Sequence, residues 1–147
     1  MDQIEILLVE DNQDDAELAI SALNEYKLAN KIEHVKDGPE ALDFMFCRGK
    51  YADRKSSKPK VILLDIKLPK LNGIEVLKAL KENDATKKVP VIMLTSSREE
   101  PDVDDAYTLG ANSYIVKPVE FDKFVEALKS VGFYWMLVNE PPFVYAK

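Results

Sequence analysis

Three short segments made entirely of apolar residues restrict the fold of this chain more than any other feature. They lie at 6–9, 61–64 and 89–94. A strand without a polar face must be buried on both sides, as in a parallel sheet that is covered by helices above and below. Apolar residues at helical spacing between these segments predict the covering helices. The chain is therefore predicted to be an α/β protein.

Five β-α units follow from these two periodicities. Right-handed crossovers leave few topologies, and a doubly wound, flavodoxin-like (βα)5 sheet with strand order 2-1-3-4-5 is favoured. The 147 residues suit a single domain, with a core of about 3–138 and an apolar tail at 139–147. The predicted strands are 4–9, 31–36, 60–64, 89–94 and 113–116, and the predicted helices are 14–29, 39–48, 74–81, 99–109 and 120–138.

Composition excludes several classes of function. The net charge of −6 argues against a nucleic-acid-binding surface. The single cysteine, Cys47, cannot form an intrachain disulfide or a cysteine-based metal site, which favours a reducing compartment. The sequence contains no signal peptide and no apolar stretch long enough to span a membrane. A cytoplasmic protein is therefore expected.

Polar residues stand where four of the predicted strands end. Glu10 and Asp11 follow the first strand, Asp65 the third, Thr95 the fourth and Lys117 the fifth. In a doubly wound sheet the carboxyl ends of the first and third strands flank the ligand site. Carboxylates a few Å apart repel one another unless a cation neutralises them, and Mg²⁺ prefers such oxygen ligands. We therefore predict a metal and phosphoryl site at this edge.

Simpler interpretations exist for individual residues. The strand-end acids could be helix caps, and Asp14 and Asp15 suit the positive end of the first helix. His34, on the second strand, is expected to be structural or solvent-facing on the far side of the site. Cys47 is expected to be a small helix residue near the core. The basic cluster is expected to be a solvated connection; it consists of Arg54, Lys55, Lys58 and Lys60.

Four motifs in the same order and on the same elements resemble a response regulator receiver domain over the whole chain. They are Glu10-Asp11, "LLDIKLPKLNG", "VIMLTSS" and "GANSYIVKP", the last two of which end the fourth and fifth strands. The resemblance implies that Asp65 is the phosphoacceptor and that Thr95 and Lys117 contact the phosphoryl group. It implies a Mg²⁺ site formed by Glu10, Asp11, Asp65 and the backbone carbonyl of Lys67, a switch formed by Thr95 and Tyr114, and a cis peptide at Lys117–Pro118.

The function implied by the resemblance is that of a single-domain response regulator. Asp65 would receive a phosphoryl group from a sensor histidine kinase, and the chain would catalyse only its own aspartyl phosphorylation and dephosphorylation. Lys67 and Ser97 would influence phosphoryl lifetime, and Ser96 could tune access. The chain is similar to regulators paired with phytochrome-type kinases in bacteria in three features. They are the loop at 49–59, the residues Glu10-Asp11-Asn12 after the first strand, and the long last helix.

Three other functions remain open from the residues alone. A dehalogenase-type phosphatase would use Asp65 as its nucleophile, but it needs a second acid where Lys67 stands. A nucleotide or flavin binder needs a Gly-rich phosphate loop, whereas "VEDNQDD" is acidic. The third is an adaptor that is never phosphorylated, which would not require Asp65, Thr95 and Lys117. As a separate matter, Tyr114 could be an ordinary aromatic residue of a strand and not a switch.

The C-terminal part of the sequence predicts association. The last helix has one apolar side that accounts for packing on the sheet, and Phe133, Tyr134 and Leu137 project from the opposite side. The apolar tail Pro141–Tyr145 follows. Either the tail folds back over these residues, or they form a homodimer interface on the face made by helix four, strand five and helix five.

Overall fold

The computed structural model describes residues 6–25, 31–54, 58–96 and 101–130, in which strands and helices alternate. A 3₁₀ turn spans Gly49–Tyr51. The strands are β1 (Ile6–Val9), β2 (Ile32–Val35), β3 (Val61–Asp65), β4 (Val91–Thr95) and β5 (Ser113–Val116), and the helices are α1 (Gln13–Glu25), α2 (Gly38–Met45), α3 (Gly73–Glu82), α4 (Pro101–Thr108) and α5 (Phe121–Ser130).

The five strands form one parallel sheet in the order β2-β1-β3-β4-β5, which confirms the predicted topology. Successive side chains of a strand point to opposite faces, so each strand contributes to two cores. Leu7 and Ile62 pack with α2, α3 and α4 on one face. Leu8 and Leu63 pack with α1 and α5 on the other. The sheet is buried on both faces, as the apolar strands require.

The predicted second helix is too long at its C-terminal end. It was expected to reach residue 48, but α2 ends at Met45, and Cys47 beyond it has a left-handed backbone (φ 54°). Arg54 Nε and Nη2 donate to the carbonyl oxygen of Phe44 (3.2 and 3.1 Å), and Lys58 Nζ donates to that of Met45 (3.1 Å). These two cations cap the helix end, so they are not the solvated connection that was expected.

Most other described boundaries agree with the prediction to one or two residues. Parts of the predicted first strand and of helices one, four and five lie outside the described residues, as do Ser97, Phe133, Tyr134, Leu137 and the tail. Within the described part of the chain, no helix combines the length and apolar character needed to cross a membrane.

Candidate functional site

The carboxyl ends of four strands place the predicted polar residues at one edge of the sheet. Asp65 and Thr95 are the last residues of the central strands β3 and β4, while Glu10 and Lys117 directly follow β1 and β5. Glu10, Asp65 and Thr95 are buried, with at most 4% of their surface exposed. The parallel register fixes this arrangement, since neighbouring strands end at the same level.

Three carboxylates come together there in a way that fits a divalent cation. One oxygen from each of Glu10, Asp11 and Asp65 lies within 4.8 Å of the others. Glu10 and Asp65 are buried, whereas Asp11 is exposed at the rim. Carboxylate oxygens suit Mg²⁺, which keeps several of its waters when bound to a protein. The donor set therefore fits the predicted metal.

Lys117 is the cation of this cluster. Its Nζ donates to Glu10 Oε1, Asp15 Oδ2 and Asp65 Oδ2, each at 3.2 Å. The Lys117 backbone N–H donates to the carbonyl oxygen of Thr95 (2.8 Å), which fixes the residue beside β4. A peptide in the cis conformation joins Lys117 to Pro118, as the resemblance implied. Asp15 was not predicted to belong to this group.

The electrostatics of the cluster follow from burial and proximity. Burial, then the hydrogen bond and negative charge of Asp65, raise the pKa of Glu10 from 4.5 to about 7. Burial lowers the pKa of Lys117, but the carboxylates of Asp65 and Glu10 outweigh that effect and raise it above its ordinary value. Without a metal ion, burial and Asp65 therefore favour the protonated form of Glu10, while the neighbouring carboxylates favour the charged form of Lys117.

These groups line a cavity of about 200 Å³ that also includes Asn12, Lys67 and Ser96. Lys67 is exposed, and its backbone N–H donates to Asp65 Oδ1 (3.3 Å). Asp65 thus has one oxygen toward Lys67 N–H and the other toward Lys117. A cavity of this size admits a small anionic group and water.

The loop after β3 is held tightly against the strand. A Cβ at Gly73 would lie 2.1 Å from the backbone oxygen of Asp65, so only glycine allows this approach. Asn72 caps α3 by accepting from Glu75 N–H (2.9 Å), and Glu75 accepts from Asn72 N–H (3.1 Å). This capping box fixes the start of α3, and with it the loop beside Asp65.

The two predicted switch residues lie on neighbouring strands. Tyr114 is half-buried on β5, in register with Met93, whereas Thr95 pairs with Val116 further along. The Tyr114 ring meets the ring of Tyr107 on α4 edge to face, with centroids 6.1 Å apart and an interplanar angle of 82°. Tyr114 therefore contacts α4 in this conformation.

His34 lies closer to the site than was expected. Its Nε2 lies 2.8 Å from the carbonyl oxygen of Glu10, and because a carbonyl only accepts, Nε2 carries the proton. Glu10 N–H donates to the carbonyl oxygen of Val35 (3.1 Å). His34 is structural, as predicted, but it supports the backbone of Glu10 and does not lie on the far side of the site.

Comparison with known proteins connects this geometry to one family. The family described as "Response regulator receiver domain" matches residues 6–129, which is most of the chain. The solved structure of the bacteriophytochrome response regulator AtBRR is 48% identical, with a TM-score of 0.86 over 95% of this chain and 100% of that chain.

Two cyanobacterial relatives carry information about the site. Response regulator Rcp1 of Synechocystis sp. is 34% identical over 131 residues, which are 89% of this chain and 88% of the relative. A solved structure of Rcp1 is a Mn²⁺-bound form, with a TM-score of 0.73 over 91% of this chain and 95% of that chain. The structure of the phosphorylated cyanobacterial phytochrome response regulator RcpA is 34% identical, with a TM-score of 0.76 over 96% of this chain and 99% of that chain.

Proposed function

Because this chain belongs to the response regulator receiver domain family of two-component signalling, we propose that Asp65 is its phosphoacceptor. Receiver domains of this family are phosphorylated on an aspartate by histidine kinases, and they bind Mg²⁺ or Mn²⁺ in an acidic pocket. The observation that carries the proposal is the buried Asp65 carboxylate, which ends the central strand and is in contact with the Lys117 ammonium (3.2 Å).

The transfer is a displacement at phosphorus. An Asp65 carboxylate oxygen attacks the phosphorus of a phosphohistidine, the new O–P bond forms as the P–N bond breaks, and the electron pair leaves with the imidazole nitrogen. Lys117 offers its ammonium to the phosphoryl oxygens, and the Thr95 hydroxyl is proposed to contact the same group. The only other reaction proposed for the chain is hydrolysis of the acyl phosphate, in which water attacks phosphorus, the O–P bond to Asp65 breaks, and inorganic phosphate leaves with the Asp65 carboxylate restored.

Glu10, Asp11 and Asp65 are the proposed metal-binding side chains, together with the backbone carbonyl of Lys67. Support comes from the closeness of the three carboxylates and from the Mn²⁺-bound form of the relative Rcp1. When bound, Mg²⁺ supplies positive charge against the phosphoryl oxygens. Glu10 is longer than an aspartate and is held by Asn12 N–H (3.2 Å), so we expect it to hold the ion through water.

The signal is proposed to leave the site through Thr95 and Tyr114. Phosphorylation adds charge and acceptor oxygens near the Thr95 hydroxyl, which draws Thr95 toward the phosphoryl group. Tyr114 then turns into the vacated space and leaves its edge contact with Tyr107. This movement changes the surface made by α4, β5 and α5.

The proposed partners are a sensor histidine kinase of the phytochrome type and a second copy of the chain. The kinase type rests on the relatives AtBRR and RcpA, which are phytochrome response regulators. For the homodimer, the α4-β5-α5 surface contains a groove of about 440 Å³ between β5 and α5. Phe133, Leu137 and the tail at 139–147 would complete the interface, although they lie outside the described residues.

The dimer has its own test. Phosphorylated protein should sediment as a dimer, and Phe133→Asp with Leu137→Asp should make it monomeric without preventing labelling. A phosphorylated wild-type protein that stays monomeric at high concentration would favour the folded-back tail. We further propose that residues 1–147 form one receiver domain that acts in the cytoplasm.

Incubation with acetyl phosphate and Mg²⁺, followed by intact mass measurement, tests the central proposal. Wild-type protein should gain one phosphoryl group, and Asp65→Asn should gain none. Asp84→Asn is the matched control, since Asp84 is an exposed aspartate far from the cavity and in contact with Lys87 (2.8 Å). Labelling of Asp65→Asn at the wild-type level refutes the assignment. An unlabelled wild-type protein would favour the adaptor.

A further inference from the structure

Asp15 is the one member of the Lys117 cluster that neither metal binding nor phosphoryl transfer explains. It lies in the first turn of α1, about a third exposed, and its Oδ2 accepts from Lys117 Nζ at 3.2 Å. Its backbone N–H donates to Asn12 Oδ1 (2.9 Å), which fixes the helix start from which it projects. It is not among the three carboxylates that surround the candidate metal site.

The three contacts of Lys117 are not equivalent. An ammonium has three N–H donors, and Glu10, Asp15 and Asp65 together use all three. Glu10 and Asp65 are also proposed metal ligands, and Asp65 becomes an acyl phosphate on phosphorylation. Asp15 has no second role in the cluster. Asp15 therefore remains available to Lys117 as an unmodified carboxylate when Asp65 is phosphorylated.

We propose that Asp15 is a positioning residue that competes with the phosphoryl group of Asp65 for Lys117, and so limits the stability of the phosphorylated state. A phosphoryl oxygen must draw the ammonium away from Asp15 or share it with that carboxylate. The carboxylate of Asp15 also repels the incoming phosphoryl group, because both groups are negatively charged and both lie beside Lys117. This inference rests on the proposed function and concerns regulation of the same site.

The simplest opposing interpretation is that Asp15 only stabilises the positive end of α1. Asp14 provides the matched control, because it is an exposed aspartate in the same first turn and makes the same contribution to the helix end. Successive helix residues project about 100° apart, so Asp14 cannot occupy the position of Asp15 beside Lys117.

Beryllofluoride, a phosphoryl mimic, is the probe for the first experiment. Its affinity in the presence of Mg²⁺ is measured by ¹⁹F NMR for the wild-type chain, Asp15→Asn, Asp14→Asn and Asp15→Glu. Asp15→Asn should bind about two- to fivefold more tightly, the range set by a partly exposed ion pair. Asp14→Asn should match the wild type, and Asp15→Glu, which restores the carboxylate, should return toward it.

Each outcome of that titration decides something different. A wild-type chain that binds no beryllofluoride refutes the proposed function itself. Wild-type binding with unchanged or weaker binding by Asp15→Asn overturns the competition while leaving the proposed function intact. Equal gains from Asp14→Asn and Asp15→Asn would assign the effect to the helix end and would also overturn it.

A second measurement needs neither metal nor phosphoryl group. Urea unfolding in EDTA compares Asp15→Asn in the wild-type background with the same change in a Lys117→Met background. In the first, a lost ion pair offsets the relief of repulsion from Glu10 and Asp65, whereas in the second only the relief remains. Asp15→Asn should therefore raise the urea midpoint more in the Lys117→Met background. Equal shifts in both backgrounds would contradict direct contact with Lys117.

Discussion

Replacing Glu10 by glutamine should stabilise the metal-free protein at alkaline pH. A tenfold change in an acid dissociation constant corresponds to about 1.4 kcal/mol. The rise of the Glu10 pKa from 4.5 to about 7 therefore corresponds to roughly 3 kcal/mol of destabilisation of the folded state once the carboxyl group is ionised. Glutamine is uncharged, nearly the same size, and can donate to Asp65 as protonated Glu10 does. The substitution therefore removes this destabilisation.

Part of the gain is lost through hydrogen bonding. Glu10 accepts from both Asn12 N–H and Lys117 Nζ, and a glutamine amide has only one acceptor oxygen. One of these donors must find another partner, at a cost of about 1 kcal/mol. The expected net gain in the free energy of unfolding is about 2 kcal/mol at pH 8, which corresponds to a rise of about 1 M in the urea midpoint.

The Glu10 pKa determines at which pH the Glu10→Gln substitution should stabilise the folded chain. The folded-state pKa of Glu10 lies above the unfolded value, so the folded chain binds more protons between pH 4.5 and about pH 7. The stability that Glu10 contributes is present below that window and is lost as pH rises through it. The advantage of Glu10→Gln should therefore be complete near pH 8 and vanish near pH 5.

Urea unfolding in EDTA at these two pH values is the assay, with the exposed Glu82→Gln as the control for loss of a charge. That control should change the midpoint by a few tenths of a kcal/mol or less at either pH. An unchanged or lower midpoint for Glu10→Gln at pH 8 would refute the reasoning, as would a gain of the same size at pH 5.

Three further outcomes are expected. Asp11→Ala should weaken Mg²⁺ binding in isothermal titration calorimetry and slow labelling by acetyl phosphate, because it removes one of the three clustered carboxylates; unaltered binding would exclude Asp11 as a ligand. Wild-type Mg²⁺ affinity should rise by about tenfold from pH 6 to pH 8, since Glu10 must release its proton, and a flat profile would contradict that coupling. Gly73→Ala should lower the free energy of unfolding, measured in urea, by about 1–3 kcal/mol, because the added Cβ meets the backbone of Asp65. An unchanged free energy of unfolding would show that the loop can move away from this Cβ at little cost.

The amino-acid sequence was sufficient to predict the sheet and the polar residues at its edge. Strands without a polar face can be accommodated only between two helical layers, and the parallel topology then brings the strand ends together. For this reason Glu10, Asp65, Thr95 and Lys117 could be assigned to one edge from their positions alone. The structure confirms their strand-end positions and the strand order.

The end of the second helix was predicted less reliably from the spacing of its apolar residues. The helical pattern after residue 45 continued through Cys47, but the backbone of Cys47 is left-handed, and Arg54 and Lys58 donate to the last carbonyls of α2. Nothing in the spacing of residues 39–48 indicates these cations, because they belong to the following loop.

Which side chains meet Lys117 and Glu10 could be read only from the folded chain. Asp15 is 102 residues from Lys117, and His34 is 24 residues from Glu10. Whether such pairs touch depends on the rotation of α1 about its axis and on the direction of a side chain on β2, which are set by packing on the sheet. Sequence periodicity predicts which face of an element is buried, but not which distant residue its polar groups will reach.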